Sequence, residues 1–120
     1  MIDHVTYHVS EDVLTSGDLG DFMGHLGFTE VIPDDPFEHG YQVRWFRTMT
    51  YVVPGTQHPL IHFVADDSGE RDTLALGHFC VSIPKGLYGI ATASKFCERN
   101  SGSGRAWLGF GGLRAEIRPR

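Results

Sequence analysis

The alternation of residues over Ile2–Val9 is the feature that most constrains what this chain can fold into. In an extended strand residues two apart share a face, so His4, Thr6 and His8 line one side while Val5, Tyr7 and Val9 line the other. Leu74–Ile83 divides in the same way, Leu76, His78, Cys80 and Ser82 against Gly77, Phe79, Val81 and Ile83. Over Leu113–Arg118 the division is Arg114, Glu116 and Arg118 against Leu113, Ala115 and Ile117. Leu60–Ala65 is apolar on both faces apart from His62, which lies between Leu60 and Val64. A sheet with one wet face explains the alternation by itself. Such a face ordinarily carries Lys, Glu, Thr and Gln. Here Lys is nearly absent from the strands and histidine recurs on three of the four. Imidazole and carboxylate together suit a borderline divalent transition metal, provided a fold brings these distant strands together.

The rest of the chain supplies elements to carry those faces. Leu19, Phe22, Met23 and Leu26 fall at helical spacing, with Ser16 or Asp18 able to cap the helix and Gly27 suited to its end. Phe28–Ile32 reads as a short strand, closed by the turn cluster Pro33-Asp34-Asp35-Pro36. Tyr41–Arg47 and Leu60–Ala65 follow as strands, with Met49–Val53 prolonging the hairpin between them. The first module, residues 1–66, is therefore β-α-β-β-β. A polar loop, Asp66 to Asp72, leads to a second module over 73–120. It begins with the strand Leu74–Ile83, ended by Pro84. A helix over Gly86–Asn100 would show Leu87, Ile90, Ala91, Ser94 and Cys97 on one face. After the turn Ser101-Gly102-Ser103-Gly104, Ala106–Phe110 and Leu113–Arg118 pair as a hairpin across Gly111-Gly112. That module reads β-α-β-β, one strand short of the first. No residue-level repeat is visible, but the order of elements repeats.

Composition narrows the function classes. A formal net charge of −5 argues against general nucleic-acid binding, although Arg105, Arg114, Arg118 and Arg120 leave room for a local anion site. There is no apolar run of about 20 residues and no signal-peptide pattern, so a cytoplasmic, membrane-free chain is expected. Cys80 and Cys97 lack CxxC spacing and read as reduced, buried thiols. Trp45 and Trp107 read as core or interface residues, and His25, His39 and His58 are given no role.

Ile2-Asp3-His4-Val5-Thr6-Tyr7-His8-Val9, followed by a helix ending His25-Leu26-Gly27-Phe28, resembles the opening of vicinal-oxygen-chelate proteins. This superfamily includes glyoxalases, bleomycin-resistance proteins and extradiol dioxygenases. Leu76-Gly77-His78-Phe79-Cys80-Val81 resembles the first strand of its second module, and Ala115-Glu116-Ile117 the last strand with its closing glutamate. His62 in Ile61-His62-Phe63 sits where glyoxalase-like members carry a ligand. Gly109-Phe110-Gly111-Gly112 stands where the family has an acidic turn.

The resemblance implies an α+β fold, one domain over 1–120. Two paired βαβββ-type modules would form a cupped mixed sheet with helices outside, the second module shortened. It implies a divalent ion (Ni, Zn, Fe or Mn) on His4, His62, His78 and Glu116, with His62 and Glu116 as catalytic candidates. His8, Arg114 and Arg118 would contact a small oxygen-rich or anionic substrate. The expected activity is glyoxalase-like, as an isomerase, lyase or transferase, with a homodimer as the working unit. The alternatives are an Fe(II) dioxygenase using His4, His78 and Glu116, and a non-catalytic protein that sequesters a small molecule.

Overall fold

The computed structural model describes residues 4–38, 40–48, 60–65, 79–102 and 104–120; for His4, Val5, Glu38, Leu60 and Phe79 it describes the backbone alone. Strand β1 (His4–Val9) runs into Ser10, whose hydroxyl accepts the Val13 N–H at 3.2 Å and starts a short helix, α1 (Glu11–Thr15). The sequence pattern gives no sign of α1, because it buries a single residue, Leu14. Ser16 then caps α2 (Gly17–His25), accepting the Asp18 N–H at 3.1 Å. Leu19, Phe22, Met23 and Leu26 are all fully buried, as their spacing requires. Gly27, at φ 84°, turns the chain into β2 (Phe28–Val31). Two residues, β3 (Phe37–Glu38), pair with the start of β4 (Tyr41–Thr48), and β5 (Leu60–Ala65) completes the module. The strand order is β1-β5-β4-β2, with β1 and β5 parallel and the other pairs antiparallel.

The second module repeats this winding. Its elements are β6 (Phe79–Ile83), α3 (Lys85–Thr92), β7 (Cys97–Asn100), β8 (Ala106–Phe110) and β9 (Leu113–Pro119). Their order is β6-β9-β8-β7, again with only the first and last strands parallel. The expected helix over Gly86–Asn100 is therefore corrected: it stops at Thr92, and the strand thought missing is β7. Ser94 ends the helix, its N–H and hydroxyl both donating to the Ala91 carbonyl while its Oγ accepts the Phe96 N–H. Cys97 continues the helical spacing by coincidence, and Ile90 on the supposed buried face is 61% exposed. The elements expected over Met49–Val53 and Asp66–Asp72, and the start of the Leu74–Ile83 strand, lie outside the described residues.

One hydrophobic cluster runs through both modules. Phe22 of α2 meets Phe96 edge-on at 5.3 Å and Phe110 at 5.9 Å, and Lys95 bonds Asp18 at 2.8 Å outside them. The β8–β9 turn lies so close to α1 that a Cβ on Gly111 (φ 55°) would sit 2.5 Å from the Val13 side chain. Arg44 stitches the first module together: its Nη1 donates to the carbonyls of Leu14 and Ser16 at 2.7 and 3.0 Å, ending α1, while its Nε donates to Glu30 at 3.2 Å. Among the described residues no ladder joins the two sheets, and no helix is long and apolar enough to cross a membrane.

Candidate functional site

Each sheet turns one face to the shared core, and backbone register decides what shares the other. In the first sheet Thr6 pairs with His62 and His62 with Trp45, so the three form one row across β1, β5 and β4. His8, Val64 and Val43 form the next row. His62 is only 5% exposed, its ring parallel to the Trp45 indole at 4.7 Å and 6°. Such a stack fixes the imidazole plane and contributes about 0.5–1.5 kcal/mol beyond burial. Trp45 Nε1 and Arg47 Nε, both hydrogen-bond donors, are buried with no acceptor among the described residues. A donor left so costs about 1–3 kcal/mol, which an acceptor brought by a ligand would recover. His8 is exposed at the end of this face.

In the second sheet Cys80, Glu116, Trp107 and Arg99 form the row across β6, β9, β8 and β7. Glu116 is 7% exposed. Its Oε1 accepts from Arg118 Nε and Nη2 at 3.1 and 3.0 Å and pairs with Arg105 Nε at 2.9 Å. Both guanidinium groups are half-exposed. Arg114 lies over the Trp107 ring at 5.3 Å and stands 3.7 Å from Glu98. Glu98 reaches this face through an irregularity in β7 between Cys97 and Arg99, and it lies over Gly109, where a Cβ would strike its carboxylate.

The rows correspond. In sheet order Thr6, His62 and Trp45 occupy the first, second and third strands of one module, and Cys80, Glu116 and Trp107 occupy the same places in the other. His4 precedes Thr6 by two residues, as His78 precedes Cys80. A repeat invisible residue by residue thus exists by register. Trp45 and Trp107, expected in core or interface, are each half-buried on a polar face, beside His62 or Glu116. The alternation Val43, Trp45, Arg47 was the signal that could have found the first. Arg105 was legible only as one of several C-terminal arginines. Cys80 is exposed rather than buried, and both cysteines are free.

Of the expected metal ligands, the side chains of His62 and Glu116 are described, His4 is described by backbone alone, and His78 lies outside the described residues. Among the described residues no three His, Cys, Asp or Glu side chains converge as a metal site. The donor types fit a borderline divalent ion: imidazole and carboxylate buried at matched positions. Ligation through Glu116 Oε1 requires a guanidinium to leave it. Comparison with models of protein families finds no match, and comparison with curated proteins finds none.

Proposed function

We propose that this chain is a divalent-metal-dependent, glyoxalase-like enzyme of the vicinal-oxygen-chelate type, acting on a small oxygen-rich or anionic molecule. The observation that carries this reading is the matched pair of rows. One winding occurs twice, and each copy buries a ligand-type side chain, His62 or Glu116, on its last strand beside a tryptophan. His4 and His78 stand at the same offset from those rows in sequence. The buried donors Trp45 Nε1 and Arg47 Nε, which lack acceptors among the described residues, support an oxygen-rich ligand. A divalent ion on His4, His62, His78 and Glu116 would supply Lewis-acid polarisation of adjacent substrate oxygens. The chain's own part is to fix the His62 imidazole flat against Trp45, and to meet the substrate with His8, Arg114 and Arg118.

Particular observations favour the other readings. The Trp45 stack ties His62 into packing, which leaves His4, His78 and Glu116 as the two-histidine, one-carboxylate set of an Fe(II) dioxygenase. The engagement of Glu116 by Arg105 and Arg118 favours a non-catalytic sequestering protein. Metal content of chain purified without chelator separates the three: nickel, zinc or manganese for the isomerase, iron for the dioxygenase, none for the binder. For the metal-dependent readings about one ion per chain is expected, and it should be lost in His78→Ala and Glu116→Ala variants that remain folded. Unchanged metal in both variants removes the assignment.

The working unit in this reading is a homodimer, with His4 and His62 of one copy meeting His78 and Glu116 of the other. In support, Phe22, Phe96 and Phe110 join the modules of one chain through their core sides, and no ladder among the described residues joins the two sheets. Mixing a His4→Ala chain with a Glu116→Ala chain should restore metal binding at one site per mixed dimer. A monomer by sedimentation that still binds one ion per chain would exclude the shared site.

A further inference from the structure

We infer that the polar face of the second sheet is an anion-binding site, in which Arg105 and Arg118, fixed by the buried carboxylate of Glu116, grip a carboxylate or phosphate group of the ligand. The charge balance points to it first. Two guanidinium groups converge on a single carboxylate oxygen, so among the described residues one positive charge there is left over. Arg99 stands in the same row as Glu116, and Arg114 lies over Trp107, with Glu98 as the other acidic side chain of that face among the described residues. Cys80 and Ser82, opposite Glu116 and Arg118 on β6, are exposed and add no carboxylate. A face that is net positive among the described residues, on a chain whose formal charge is −5, marks a place where an anion is drawn in and held.

The donor geometry points the same way. Arg118 spends Nε and Nη2 on Glu116, and Arg105 spends its Nε, which among the described residues leaves further N–H groups on both half-exposed forks. Glu116 is buried, so the forks are held from below before a ligand arrives and little rotamer entropy remains to be lost. Paired, preoriented guanidinium forks match the two or three oxygens of a carboxylate or phosphate. Had Glu116 needed only neutralisation, one arginine would have sufficed. In the metal-free chain Glu116 is a positioning residue for the arginines. The inference deepens the reading above by naming the ligand's anionic group, and it rests on that reading only for the use to which the binding is put.

The test is an NMR titration of the full chain with inorganic phosphate and, separately, acetate, followed at the arginine Nε–Hε signals. Saturable shifts at Arg105 and Arg118 are expected. Arg118→Gln and Arg105→Gln should each weaken binding at least about tenfold, as loss of a charge-assisted fork implies. Arg118→Lys, which keeps the charge but not the fork, should weaken it severalfold if the glutamine variant fails to fold. Glu116→Gln should also weaken it, while Lys85→Gln, which removes an exposed charge on α3, should leave it within about twofold. Phosphate binding tighter than acetate would assign the group as phosphate, and the reverse order as carboxylate. No saturable shift with either anion, or wild-type affinity retained in both arginine variants, overturns the inference. Because no metal is added, the outcome is independent of whether the metal assignment holds.

Discussion

The polar faces of the two sheets share a backbone plan and differ in what fixes them. On the first, a histidine lies flat against a tryptophan, next to two buried donors that lack acceptors among the described residues. On the second, a glutamate holds two half-exposed arginines and a third arginine covers the tryptophan. The first face is organised by ring packing, which salt does not screen; the second by charge, which salt does. The winding of a βαβββ module thus sets where a site residue stands, while the residues on neighbouring strands decide whether it is presented dry or in an ionic frame.

The largest expected effect comes from breaking what the faces share. Phe22 fills the junction between the modules, and Phe22→Ala should cost about 3–5 kcal/mol, as emptying a buried aromatic position does. Trp45 and Trp107 lie on different sheets, so single-tryptophan versions report each module separately in urea melts. Coincident midpoints are expected, and separated midpoints would mean that the modules do not share one core.

A smaller effect should separate the faces. Glu116→Ala leaves Arg105 and Arg118 to repel each other, at about 1–2 kcal/mol given their exposure, and the loss should shrink in about 1 M salt. His62→Phe keeps a ring against Trp45 and should cost less than about 1 kcal/mol, independent of salt. If the His62 variant proves the more salt-sensitive, the contrast between the faces is wrong.

How much of this was legible can be judged from particular residues. The strands Leu60–Ala65 and Ala106–Phe110 stand where their apolar runs and turn residues put them, and Ser16 caps α2 as its side chain allows. The end of α3 was not legible, because Ser94 and Cys97 continue an apolar stripe past the point where the Ser94 hydroxyl turns the chain. Nor was the partnership of Trp45 with His62, or of Trp107 and Arg105 with Glu116. Each depends on register between strands distant in sequence, and alternation along one strand carries no register.

The smallest effect is on pH dependence. Burial on the core side of β1 pushes the Tyr7 phenol above its usual value near 10. The folded state then holds that proton at a pH where the unfolded chain has begun to lose it, so stability should fall as pH rises past about 10. Tyr7→Phe should flatten that part of the fall in melting temperature. An unchanged slope would mean that Tyr7 contributes nothing to it.

In the proposed site the two faces, despite their different chemistry, serve one bound ion. A double-mutant cycle on divalent-metal affinity, using His62→Ala, Glu116→Ala and the pair, tests it most directly. If both side chains hold the same ion, the double variant should bind little worse than the poorer single variant, a coupling of at least about 1 kcal/mol. Losses that add within about 0.5 kcal/mol would mean that His62 and Glu116 belong to separate sites, and would contradict the account.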